Sequence, residues 1–226
     1  MKFIPILFST PIVEAILVGR KTQTRRIVKP QPTKQEAVEI FCKEGPGSVS
    51  ASDLTQADIE IDELFEKCPY GKVGDVIWVR ETWRKYYNVD ENGNTDFDKE
   101  IIEYAADNPP MIPEMDGDGF QVFNKDGSEK FISWKPSLFM PKEACRIFLK
   151  ITNVRVERLQ DISDKDAIAE GVRSRLPDNG IAKQQFFDVW TIINGYENLM
   201  LNPWVWVIEF ERVELTEEQK HKFLTN

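Results

Sequence analysis

Gly74-Asp75-Val76-Ile77-Trp78-Val79-Arg80-Glu81-Thr82-Trp83 reads as a strand from the middle of a sheet. Valine, isoleucine and tryptophan suit a pleated, largely buried surface. The turn-rich Cys68 to Asp75 leads into it. Working outward, Lys2 to Phe8 forms a first strand, and Phe148 to Val156 alternates apolar and polar over a long half-buried one, with a break expected at Thr152-Asn153. Trp204 to Val213 makes the last strand, followed by a polar tail.

Short helical signals interrupt the strands. Thr10-Pro11 supplies an N-cap and a first-position proline, Ile12, Val13, Ile16 and Leu17 an apolar face, and Gly19 a left-handed stop. Ser163-Asp164-Lys165-Asp166 has the form of a capping box ahead of a helix closed by Gly171. Phe186, Phe187, Trp190 and Ile193 draw an apolar helical stripe ending near Gly195. Regular βαβ alternation is missing, so the pattern points to an α+β chain: a small mixed β-barrel flanked by short helices, not a doubly wound sheet. The pattern alone leaves an open α+β sandwich as the alternative.

Two stretches fall outside this scheme. An insertion spans about 31–66, in which residues 36–66 are acidic and mixed, with Gly45-Pro46-Gly47-Ser48 as an excursion. Residues 86–130 carry Asn-Gly and Asp-Gly turn signals and are expected to form one or two hairpins inserted in a single domain spanning 1–226. Asp116-Gly117-Asp118 lacks the spacing and closing glutamate of a calcium loop and reads as a turn.

Composition narrows the chemistry. With 226 residues and 41% apolar side chains the chain has enough material for a core. No apolar run reaches the roughly 20 residues of a membrane span, and the N-terminal run reads as a strand, not a signal peptide. Three cysteines without close spacing do not suggest disulfides, and a cytoplasmic location is expected. A lone histidine, His221, leaves no parts for a structural zinc site or a Ser-His-Asp triad; no metal and no cofactor are expected. A net charge of -9 argues against coating long nucleic acid, which depends on neutralising phosphates.

Against that acidity stands Gly19-Arg20-Lys21-Thr22-Gln23-Thr24-Arg25-Arg26. Four cations gathered just past a helix end mark either a solvated connection or a small site for a negative or electron-rich ligand.

Four segments now combine. G-x-K-T-x-T-R at Gly19 to Arg25, G-D-x-[apolar]-W-V-R-E-T-W at Gly74 to Trp83, L-Q-D-I-S-x-x-D-A-x-x-E-G at Leu159 to Gly171, and W-V-[apolar]-x-F at Trp204 to Phe210 together resemble the ASCH domain family. That family belongs to the PUA-like superfamily, and the R-E-T-W form is similar to long versions common in bacteriophage and prophage genomes. The resemblance implies a PUA-like barrel with a cleft for a nucleoside, nucleotide or short RNA. Small bacterial members similar to this chain are metal-free amidohydrolases that deacetylate N4-acetylcytidine. It implies Lys21, Thr24 and Glu170 as the catalytic residues. Non-catalytic binding of RNA or a modified base, or ribonuclease activity, are the alternatives within the family. Phe139 stands where long relatives carry a histidine.

The residue types suit an amide hydrolysis independently of the resemblance. Thr24 can act as nucleophile, Lys21 as base if burial and neighbouring cations lower its proton affinity, and Glu170 as acid for the departing amine. Lys21 and Thr24 would face opposite sides of a regular strand, so such a site needs irregular backbone after Gly19. Arg20, Arg25 and Arg26 are read as tuning charge and holding ligand. Arg80, Glu81 and Trp83 are read as further binding residues, Trp83 by stacking on a base and Glu81 by reading an amino edge. For that trio, a core tryptophan with an ion pair at the barrel end is the alternative.

Overall fold

The Val76-Ile77-Trp78-Val79 run is buried along its whole length, as a strand covered on both faces must be. In the structure, a computed structural model describing residues 1–31, 68–89, 95–107, 120–123, 128–173 and 180–225, it forms β3 (Val76–Arg80). The sheet around it contains β1 (Phe3–Leu7), β2 (Gln23–Ile27), β8 (Phe148–Arg158) and β9 (Trp204–Val213), in the order β1-β3-β8-β9-β2. Val76 N–H donates to Lys2 O and Phe8 N–H to Arg80 O, so β1 and β3 run parallel. Val79 N–H to Ile147 O and Ile151 N–H to Asp75 O make β3 and β8 antiparallel. β2 lies antiparallel to β9, with Thr24 opposite Ile208 and Arg26 opposite Trp206.

The mixed α+β class follows directly. Barrel closure does not: β1 and β2 stand at opposite ends of the described order, and the insertion's strands make hairpins of their own. β4 (Trp83–Val89) pairs with β5 (Thr95–Tyr104), and β6 (Phe120–Phe123) with β7 (Glu129–Ile132). Among the described residues, two antiparallel strand pairs therefore lie in and around the 86–130 stretch. Nearly all of 31–66, and the turns read at 90–94, 116–119 and 125–127, lie outside the described residues.

The chain divides into two compact units. One comprises Met1–Ile4, Ala15–Ile77 and Leu149–Val213; the other comprises Pro5–Glu14, Trp78–Phe148 and Glu214–Asn226. In the first, α2 (Asp164–Ala169) and α3 (Ile181–Asn194) bury Ala167, Ala182, Phe186 and Trp190 together with Val205 and Val207 of β9. The four-residue step from Ala182 to Trp190 is the inward row of α3. Ile193, expected to continue it, is exposed; burial stops one turn before the helix does. α4 (Tyr196–Met200) follows Gly195. β8 runs unbroken through Thr152-Asn153.

α1 (Thr10–Leu17) begins one residue earlier than its sequence suggests, since Ile12 and Val13 N–H groups already bond to Ser9 O. The polar tail is also helical, as α5 (Glu217–Thr225). Thr216 and Gln219 cap it reciprocally, Gln219 N–H on Thr216 Oγ1 at 3.3 Å and Thr216 N–H on Gln219 Oε1 at 3.0 Å. Its single buried anchor is Phe223, set edge-on to Trp78 at 5.5 Å and to Phe148 at 5.1 Å. Phe223→Ala should therefore cost about 3–5 kcal/mol in urea unfolding; a loss under about 1 kcal/mol would show that α5 contributes little to that unit.

Candidate functional site

The basic stretch is placed by two helix ends. Gly19, at φ 71°, ends α1, and the N–H groups of Arg20 and Lys21 both reach Ala15 O, at 2.8 and 3.0 Å. The chain then crosses the C-terminal end of α2. Thr22 N–H donates to Ala169 O at 2.8 Å, Lys21 Nζ to Glu170 O at 2.8 Å, and Arg20 Nε to Gly171 O at 3.0 Å. Three successive carbonyls at and just past the end of α2 are thus satisfied by residues 20–22. Two of the donors are cations, which that end of a helix favours. Gly171 makes the approach possible: its φ is 99°, and a Cβ there would lie 3.1 Å from the Cβ atoms of Lys21 and Ala15.

From this crossing a network of charges develops. The Lys21 side chain is 3% exposed, and its Nζ lies 2.6 Å from Glu170 Oε2. The other oxygen of Glu170, Oε1, accepts from Arg25 NH1 at 3.0 Å. Arg25 is fully buried over the Phe186 ring. Its Nε and NH2 both donate to Glu157 Oε1, the former at 2.9 Å, and NH2 lies 3.8 Å from Asp166 Oδ2. Arg155 continues the chain through Glu157 and Asp166, each at 3.3 Å, and through Glu209. Gln23 Nε2 fixes the same segment to Asp166 O at 2.8 Å.

Burial is the main force on Lys21. It pushes the ammonium below the ordinary lysine value; Glu170 opposes this, and Arg26 and Arg25 reinforce it. For Asp166, burial raises the carboxyl, but Ser163, Arg155 and Arg25 outweigh it and hold the group below the usual aspartate value. Ser163 caps α2 by accepting from Asp166 N–H, as the capping box anticipates.

The sequence-derived residues separate into sets. Lys21 and Glu170 are in direct contact, and Arg25 and Arg20 belong to the same construction. The irregular backbone required after Gly19 is present, since β2 starts only at Gln23. Thr24 is buried on β2, and strand alternation turns its side chain to the face opposite Gln23 and Arg25. Arg26 shares that alternate face and interacts with Tyr70 and Glu170. A cavity of about 240 Å³ in the same unit, lined by Lys2, Cys68, Lys72 and Asp75 among others, includes none of the predicted residues.

Arg80, Glu81 and Trp83 belong to the second unit, and each is engaged there. Arg146 grips the buried Glu81 with two bonds of 2.9 Å and Asp107 with one of 2.6 Å, while lying over the Tyr104 ring. Trp83 packs with Met140 and Ala144 under the Lys135 ammonium. Arg80 caps the Ser137–Phe139 turn by donating to Met140 O at 3.1 Å and to Leu138 O. Burial raises the Cys145 thiol to about 12 and Cys68 to about 11, so neither is a ready nucleophile.

Glu157, Asp166 and Arg155 were missed in the sequence. Alternation puts Arg155 and Glu157 on one face of β8, but nothing in it says that Arg25 lies opposite. Among the described residues, no group of three or more His, Cys, Asp or Glu side chains could hold a metal ion, and no helix is long and apolar enough to cross a membrane. Comparison of the chain with protein-family models, with curated proteins and with solved structures finds no match.

Because the folded chain holds Lys21 below 10.5, the unfolded chain binds more protons in the alkaline window beneath that value. Wild type should gain stability relative to Lys21→Met as pH rises through this window, and the gain should be complete above it. A difference independent of pH in urea titrations would contradict the burial of the lysine charge.

Proposed function

We propose that this chain is an ASCH-type protein in which the sheet β1-β3-β8-β9-β2 belongs to a PUA-like barrel, acting on an N4-acylated cytidine or related nucleoside. The observation that carries the reading is the buried Lys21 ammonium at 2.6 Å from Glu170 Oε2. A lysine kept below its ordinary proton affinity and sharing a proton with a carboxylate is a working acid–base pair. Such a pair can take the proton from a nucleophile and return one to a departing amine.

In the reaction, the shared proton rests on Glu170, and Lys21, as a neutral amine, accepts the Thr24 hydroxyl proton while Thr24 Oγ adds to the acetyl carbonyl. The C–N bond then breaks, and the exocyclic amine leaves with a proton delivered through Glu170. Water, deprotonated by the same pair, hydrolyses the acetyl ester and restores Thr24. No metal or redox partner enters this balance. A net charge of -9 favours a nucleoside over a long RNA as the occupant.

Incubation with N4-acetylcytidine and chromatography for cytidine tests the reading. Wild type should release cytidine, whereas Lys21→Met and Thr24→Val should each lower kcat by at least about 100-fold. No cytidine from wild type, with retained binding of the nucleoside by calorimetry, would replace the enzyme by a binding module.

A further inference from the structure

We infer that Arg25 is a positioning residue that divides the Glu170 carboxylate, holding Oε1 so that Oε2 alone faces Lys21. This rests on reading Lys21 and Glu170 as the working pair. The sequence suggested that Arg25 holds ligand, but its guanidinium has no exposed surface. Its three nitrogens are committed to carboxylates of the chain: Nε and NH2 to Glu157, NH1 to Glu170, with Asp166 behind.

The geometry has a definite consequence. A carboxylate on a helix C-cap, with free rotation about its last bond, would offer either oxygen to Lys21 or turn both away. Arg25 is the wedge that removes this freedom. It is itself held from below by the Phe186 ring, 5.6 Å from the guanidinium carbon, and from the side by Glu157. Glu157 is anchored in turn by Arg155 through its second oxygen at 3.3 Å. The order Arg155–Glu157–Arg25–Glu170–Lys21 alternates in sign at every step. The inner ions Glu157, Arg25 and Glu170 therefore each meet opposite charge on both sides, and Lys21 ends the row, which offsets the cost of burying them.

An alternating chain answers to perturbation with alternating sign. Removing the Arg25 cation takes away a charge that disfavours the Lys21 ammonium, so Lys21 should hold its proton more tightly. Removing the Glu157 anion takes away a negative charge and leaves Arg25 with Glu170 and the more distant Asp166, so Lys21 should hold its proton less tightly. A role confined to packing would move both variants in the same direction or neither.

The test is a titration of the Lys21 ammonium by NMR of the 15N-lysine-labelled full chain, in wild type, Arg25→Gln and Glu157→Gln, with the resonance assigned from Lys21→Met. The midpoint should rise in Arg25→Gln and fall in Glu157→Gln. Arg25→Lys, which keeps the charge but cannot span two carboxylates, serves where Arg25→Gln fails to fold, and should show a smaller rise. On N4-acetylcytidine, Arg25→Lys should lose about 100-fold in kcat with KM little changed, as a misplaced acid–base group does. Midpoints that stay in place, or move together, overturn the inference. The titration needs no substrate: opposite shifts without any cytidine release would uphold the role of Arg25 toward the lysine–carboxylate pair and defeat only the assigned reaction.

Discussion

Everything around the candidate site depends on one crossing, where residues 20–22 lie over the C-terminal end of α2. A helix end exposes carbonyls that must find donors or water. Here Thr22 N–H, Lys21 Nζ and Arg20 Nε supply them in succession. The arrangement satisfies the helix and removes a lysine from water in the same stroke. Desolvating an ammonium is expensive unless it is paired, and Glu170, the C-cap residue of α2, is the partner the crossing itself brings into reach.

The rest of the network follows from that commitment. Glu170 brings a second oxygen that also needs a donor, and Arg25, four residues beyond Lys21, provides it from β2. Arg25 then needs anions for its other nitrogens, which β8 and α2 supply as Glu157 and Asp166. Buried ion pairs of this kind seldom add much net stability, because desolvation offsets the attraction. What the network adds is geometry: in this registration of β2 against α2 and β8, Lys21, Arg25, Glu157 and Glu170 pair with one another. That registration is what a proton-transfer pair would require.

Much of the framework was legible in the sequence. The Gly74 to Trp83 strand, the Trp204 to Val213 strand, the Ser163–Asp166 cap and Gly19 as a helix stop all rest on local chemistry, and local chemistry is what a sequence displays. The closeness of Lys21 and Glu170, 149 positions apart, came from a family resemblance. The Arg25–Glu157 contact had no local signal, since it depends on which strands neighbour one another. Arg25 looked available for ligand because a cation in an acidic chain invites that reading; its full burial reverses it. The α5 helix was overlooked because one aromatic, Phe223, makes no stripe, although Thr216 and Gln219 already spelled its cap.

Lys21 and Glu170 form one buried pair, in which each charge depends on the other. A double-mutant cycle with Lys21→Met, Glu170→Gln and the combined variant, measured by urea unfolding at neutral pH, addresses it most directly. A coupling of at least about 1 kcal/mol is expected, because each single variant strands its partner's charge or dipole while the double variant relieves it. Additivity within about 0.3–0.5 kcal/mol would contradict it, since residues that do not touch behave that way.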